Sequence, residues 1–416
     1  MGNDAYDQHI VVADEHLGMV LDLLGGGATE EDTDQRLGLT LLQLADVEAL
    51  ARRMEQARQE ETGAGAPDHV HGALDRVLGN LRAITQHRYA GWSPTMGKNR
   101  ILTGVQFKPY TNAGGFTKPT KPKPDTLPDE YPTAARSGRR VRVGILDTRL
   151  DPHTRLGGRY LTDPDALTLP VPGQERQWWE GHSTFIAGIV LSLAPAADLD
   201  VRTALAPGKS PNEGWTMPLW TLAQRLADYR DSGVQVLNLS LGCSTADGQA
   251  PMVLERAIAQ LTPTMAVVAA AGNHGTDKLA DQERRDQGMP RRAAPLFPAA
   301  LDGVLAVGAV DAKGDSASFN PIDGTDPSKP APWIDVFAPG VEIVSTYLDE
   351  NGDQKVLVPR DGTPVAYDTV SFAGYANWSG TSFASAHVTG LVAARIAEGM
   401  TPQEAVQAVR QDLPRP

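Results

Sequence analysis

Four short stretches hold residues that together could carry out acyl transfer: "GILDTRLDP" with Asp147, "GHSTFIAGIV" with His182, "AVVAAAGNHG" with Asn273 and "NWSGTSFASAHVTGL" with Ser382. A serine hydroxyl attacks a carbonyl only when a base removes its proton and donors hold the oxyanion that forms. Histidine is the usual base, a carboxylate orients it and stabilises its charged form, and an asparagine amide can be such a donor. Taken singly, each residue has a plain structural explanation. Asp147 and Asn273 suit turns at strand ends, and His182 and Ser382 suit helix starts. Their joint occurrence is what points to chemistry.

The elements that must position them can be read from residue 138 onward. Strands "VRVGILD", "ADLDVRTAL", "VQVLNLSL", "MAVVAAAG", "VLAVGAV" and "IDVFA" alternate with helices "HSTFIAGIVLSL", "PLWTLAQRLADYR" and "PMVLERAIAQL". Short apolar strands separated by amphipathic helices imply an α/β fold, a parallel sheet with helices on both faces. Ligands bind such sheets at the carboxyl ends of the strands, where Asp147 and Asn273 stand. Phe185, Ile186, Ile189, Val190 and Leu193 recur at helical spacing, which puts His182 in the first turn of its helix.

From about Arg140 to about Glu398 the four motifs, in the order Asp, His, Ser, resemble the subtilisin-like serine protease family. The resemblance implies a three-layer subtilisin-like fold, a triad of Asp147, His182 and Ser382, and Asn273 as oxyanion donor. "VQVLNLSLG" is similar to the family's substrate-pairing strand, so Ser240, Leu241 and Gly242 would bond an extended peptide. Ala271 and Gly272 would line the pocket for the side chain before the scissile bond. Three neighbours depart from the family pattern: Arg149 and Ser183 where glycine is usual, and Ala386 where proline is usual. None removes a catalytic atom, although Arg149 puts a cation within reach of Asp147. The implied activity is a serine endopeptidase acting on protein or peptide substrates. The alternative is a pseudoprotease that keeps the fold as a peptide-binding scaffold. No cofactor is required. Family members often bind structural calcium, but the two aspartates of "LTDPDALT" read as solvated turn residues, and no metal ligand is assigned.

The prolines of "TKPTKPKPDTLPDEYPTAA" favour an extended connector, so the chain is expected to divide into an N-terminal α+β domain at 1–116, a linker at 117–137 and a catalytic domain at 138–416. In the first part, "HIVVAD" then "EHLGMVLDLL", and "LGLTLLQL" then "DVEALARRMEQAR", read as two strand-then-helix units, with a further helix at "HGALDRVLGNLRAI". "GGGATEEDTD" reads as a flexible loop, and "GWSPTMGKNRILTGVQFKPYTNAGGF" matches no pattern. A pro-domain of the family begins with a strand like "HIVVAD". The N-terminal domain is therefore expected either to act as an intramolecular inhibitor and folding chaperone or to bind a regulator.

With 51 acidic against 38 basic residues among 416, the formal charge of -13 repels phosphate backbones and anionic lipid, which argues against nucleic acid or membrane as the main partner. The single cysteine, Cys243, rules out an intrachain disulfide and a cysteine zinc cluster. The start has no basic region followed by an apolar core, so the expected location is cytoplasmic.

Overall fold

The computed structural model describes residues 5–63, 72–104, 118–127, 140–162, 166–169, 171, 173–204, 206–207, 215–245, 247–275, 290–360 and 366–413. Seven parallel strands form the central sheet, in the spatial order Val336–Pro339, Val304–Val310, Ala266–Ala270, Val236–Leu239, Val141–Asp147, Ala197–Thr203, Tyr160–Thr162. Their runs are apolar without alternation because helices cover both faces. Between Val141–Asp147 and Val236–Leu239 the order of connection reverses. Open sheets form their ligand crevice at such a point, and both Asp147 and Ser240 lie at its rim.

The helix Thr381–Ala397 runs through the interior, with Ser382, Phe383, Ala386, Val388, Val392 and Ile396 all buried. It is apolar nearly all round, as a helix enclosed by protein must be. Two hydroxyl bonds fix its depth: Ser240 Oγ donates to the Ser382 carbonyl at 3.2 Å, and Thr389 Oγ1 to Asn238 Oδ1 at 3.1 Å.

The described residues between 5 and 104 include four strands of an antiparallel sheet, in the order Ala28–Asp34, Leu39–Leu44, Ala5–Ala13, Met96–Gly104, backed by the helices Val47–Thr62 and Ala73–Arg88. Ile10, Val12, Leu42 and Leu44 pack beneath those helices with Leu50, Met54, Val77 and Leu81. Val11, Ala13, Leu39, Leu41 and Leu102 face the other way and join the core of the larger sheet. The period of two in a strand therefore explains why "HIVVA" is apolar at successive positions: both faces are covered. Each Val, Leu or Ile among them contributes roughly 1.5–3 kcal/mol when fully buried.

Two readings of this region change. "GGGATEEDTD" is not a loop throughout, because Ala28–Asp34 is an edge strand paired with Leu39–Leu44. Glu30, Glu31 and Asp32 are exposed, and a solvated edge carries charge where an interior strand would carry apolar residues. The unassigned "TMGKNRILTG" holds the strand Met96–Gly104, whose partners include Trp215–Pro218 and Leu241–Gly242 of the larger half. Of the proline-rich connector, residues 118–127 are described; they hold one short 3-10 turn, Pro124–Thr126, and an antiparallel bridge from Thr120 to Asn377.

Candidate active site

Asp147 ends the strand Val141–Asp147, and its carboxylate is held twice. Oδ1 accepts from the Thr148 N–H at 2.7 Å and lies 2.8 Å from His182 Nδ1. Both side chains are fully buried. His182 opens the helix His182–Leu193 directly after the 3-10 turn Trp178–Gly181, in which the Gln177 and Glu180 side chains and backbones cap each other reciprocally. Gly181 is required there, since a Cβ would stand 2.4 Å from the Tyr347 ring. The Trp378 ring meets the imidazole edge to face at 5.6 Å, and the Phe383 ring lies tilted against it at the same distance.

Further bonds stitch the aspartate loop to the histidine helix. The Ser183 N–H donates to Thr148 Oγ1 at 3.1 Å, and the Asp151 N–H to Thr184 Oγ1 at 2.9 Å. Arg176, itself buried, grips Asp151 with both terminal nitrogens at 2.9 and 2.8 Å and reaches Glu180 Oε2 at 2.5 Å through Nε. Burial works against the Arg176 cation, yet Asp151 and Glu180 outweigh it and raise its pKa. Burial raises the Asp151 pKa against the pull of Arg176.

Asn273 follows the strand Ala266–Ala270. Its Oδ1 accepts from the Thr381 N–H at 2.9 Å and from Thr381 Oγ1 at 3.1 Å. Two donors on one oxygen fix the amide so that Nδ2 points away from Thr381, and Nδ2 is buried with no partner among the described residues. Ser382 Oγ is likewise buried and unpartnered. The Ser382 N–H is one of the first-turn groups for which a helix offers no acceptor, and it stands at the positive end of the helix dipole. The helix that carries the Ser382 hydroxyl thus packs through Phe383 against an imidazole oriented by a carboxylate, and the Asn273 amide is a buried donor with no partner among the described residues.

The remaining sequence-predicted residues lie around this centre. Leu241 and Gly242 form a short strand, and Ser240 Oγ touches the Ser382 carbonyl and Ser385 Oγ. The Gly272 N–H donates to Thr381 Oγ1 at 3.0 Å, and at φ +107° a Cβ there would strike His274. Ala271 is buried in a small cluster with Ala331, Ile334 and Phe337. Of the departures, Arg149 is exposed and forms no ion pair with Asp147, Ser183 is buried next to His182, and Ala386 is buried within the central helix. Sequence reasoning missed Thr381, Trp378 and Arg176. Thr381 and Trp378 flank the serine in "NWSGTS" and were legible as neighbours, but nothing in the sequence marks Arg176 as buried.

The sequence profile of the subtilase family matches residues 138–412. This chain belongs to the subtilase family. It is 30% identical over 281 residues to the thermophilic serine proteinase of Bacillus sp. strain AK1, covering 65% of this chain and 55% of that protein. It is 29% identical over 272 residues to subtilisin BL of Lederbergia lenta, covering 62% and 76%. The subtilase spans about half the length of several curated relatives it matches, 55% of the strain AK1 proteinase and 54% of alkaline elastase YaB from Bacillus sp. strain YaB. Fervidolysin from Fervidobacterium pennivorans, described as a keratinolytic enzyme related to subtilisin, superposes with a TM-score of 0.54 at 17% identity, over 98% of this chain and 57% of that one. That likeness is one of fold, and it takes in the N-terminal sheet.

Among the described residues no group of three or more His, Cys, Asp or Glu side chains is placed to hold a metal ion. The aspartates of "LTDPDALT", Asp163 and Asp165, lie outside the described residues. No described helix is long and apolar enough to cross a membrane.

Proposed function

We propose that this subtilase is a serine endopeptidase whose own N-terminal residues occupy its cleft before maturation. The observation that carries the reaction is the buried 2.8 Å contact of Asp147 with His182, beside a helix start that presents Ser382 and an unpartnered Asn273 amide. Ser382 Oγ attacks the scissile carbonyl as His182 Nε2 takes its proton, and Asp147 holds the Nδ1–H tautomer and stabilises the imidazolium. Asn273 Nδ2 and the Ser382 N–H receive the oxyanion. Collapse expels the amine, which takes the proton from His182. Water, deprotonated in turn by His182, then cleaves the acyl ester and frees Ser382.

The blocked state is supported by strand pairing. Gly104 lies opposite Leu241 and Thr103 opposite Gly242, antiparallel, on the strand expected to bind substrate. On its other edge the same segment pairs with Trp215–Pro218. An extended peptide binds a sheet edge in this manner. Its chain direction leads past Leu241 toward Ser240, whose hydroxyl touches Ser382. Asp147, His182 and Ser382 are all 0% exposed.

Intact-mass measurement on purified wild type and Ser382→Ala tests both parts. Wild type should lose an N-terminal fragment by a cut between residues 104 and 118 and then hydrolyse peptides, while Ser382→Ala stays whole. A wild-type chain that remains whole, cuts no peptide and takes no serine-directed phosphonate on Ser382 would overturn the reading.

A further inference from the structure

The same chain that fills one side of the cleft is also bonded on the other. Beyond Gly104, described residues resume at Lys118, and there the Thr120 N–H donates to the Asn377 carbonyl while the Asn377 N–H donates to the Thr120 carbonyl, both at 2.8 Å. Thr120 Oγ1 adds a contact of 3.3 Å to the same carbonyl, Lys118 Nζ donates to the Pro359 carbonyl at 2.9 Å, and Pro119 is buried. Prolines at 119, 122 and 124 hold this stretch extended without any sheet of its own.

Which side of the serine this is follows from the proton path. The histidine gives its proton to the departing amine, so substrate residues after the scissile bond leave past the imidazole. Asn377 belongs to the strand Tyr375–Trp378, and Trp378 lies against His182. Residues before the bond run along Leu241–Gly242, beside Ser240. The strand Tyr375–Trp378 already pairs with Ile343–Thr346 on one edge. Its other edge, on the leaving-group side, is the one Thr120 occupies.

We infer that Lys118–Thr126 is a leaving-side strap that outlasts maturation and sets substrate length. This rests on the endopeptidase reading. A cut between residues 104 and 118 removes the segment along Leu241 but leaves Thr120 covalently part of the mature enzyme. A substrate with several residues after its scissile bond must displace the strap to reach the edge at Asn377. A substrate with a small leaving group need not. The enzyme therefore favours bonds near the C-terminal end of a peptide, and it accepts small amides and esters without hindrance.

The test compares matured wild type with the double variant Lys118→Ala, Thr120→Pro, which removes the amine anchor and the Thr120 N–H at an exposed position. Two substrates share the same residues before the scissile bond: one ends in an anilide, and the other is a quenched peptide running four residues further. The variant should raise kcat/KM on the long peptide roughly tenfold, through KM, as expected for the loss of one or two hydrogen bonds that compete with substrate. It should leave the anilide unchanged. Equal changes on both substrates, or none on either, would overturn the strap. A second measurement needs no activity: in full-length Ser382→Ala, the Asn377 amide should exchange slowly with deuterium and lose that protection when Thr120→Pro is added. Fast exchange before that substitution also overturns it. Slow exchange in a chain that cuts neither substrate would keep the strap and sink the endopeptidase reading instead.

Discussion

Thr381 holds Asn273 with both of its donors, at 2.9 Å from its N–H and 3.1 Å from its hydroxyl, so one oxygen of the asparagine is saturated and its amide is committed to the crevice. The same hydroxyl receives the Gly272 N–H at 3.0 Å. In the proposed mechanism Asn273→Ala removes an oxyanion donor, and loss of one such donor in a subtilisin costs about 10²–10³ in kcat. We expect a loss of that order with KM little changed. Thr381→Val keeps the backbone donor and loses the hydroxyl, so kcat should fall by less. Steady-state kinetics on one peptide checks both, and an Asn273→Ala enzyme at full kcat would remove the residue from the mechanism.

Arg176 joins the arm that carries Asp147 to the arm that carries His182, through Asp151 on one side and Glu180 on the other. Truncating one partner of a buried pair strands the other without compensation, at a cost of about 3–5 kcal/mol. Arg176→Ala in the Ser382→Ala background should lose that much in urea unfolding. Arg395→Ala removes a cation from two surface ion pairs and should show no measurable change. Equal effects of the two substitutions would show that burial of the first pair has no energetic consequence.

The larger, C-terminal half was legible because its strands are continuous apolar runs and its polar residues fall at or just past their ends. Asp147 ends its strand, Asn273 follows the strand Ala266–Ala270 by three residues, and His182 and Ser382 lie in the first turns of their helices. The N-terminal half was less legible for a physical reason. Ala28–Asp34 is a charged edge strand with no buried face to give a period. Met96–Gly104 pairs on both edges with segments distant in sequence, so no neighbouring run marks it as a strand. Long-range pairing leaves no local trace, and the buried Arg176 looks in sequence like any surface arginine.

Gly188 lets the helix His182–Leu193 lie against the strand Ile343–Thr346. A Cβ there would come within 2.3 Å of both Ser345 Oγ and Thr346 Oγ1. Those hydroxyls donate to the Phe185 and Thr184 carbonyls at 2.7 and 2.8 Å. Gly188→Ala must push the helix away or break these bonds, and overpacking of this kind costs about 1–3 kcal/mol. Because the helix carries His182 at its start, kcat should fall along with the urea midpoint. Stability at or above the wild-type value would mean that the helix approaches less closely than described.

His153 ties acid stability to the same region. Its Nε2 is 3.0 Å from the Gly374 carbonyl, to which it donates, and its Nδ1 accepts from the Arg155 N–H at 3.2 Å, an arrangement that fits the neutral ring. Burial lowers its pKa; Glu350, 3.8 Å from Nδ1, pulls the other way, and Arg155 reinforces the fall. The Tyr375 ring closes the remaining side. With the native pKa below the unfolded value of about 6.5, the unfolded chain binds the extra proton first as pH drops. The contribution of His153 is therefore fully present above that value and is lost as pH falls toward the native pKa. His387, also lowered by burial, acts in the same direction. Urea unfolding of Ser382→Ala at pH 7 and pH 5 should show lower stability at pH 5, and His153→Gln should reduce the difference without abolishing it. An unchanged difference in the His153→Gln protein would show that the ring does not titrate between the two states.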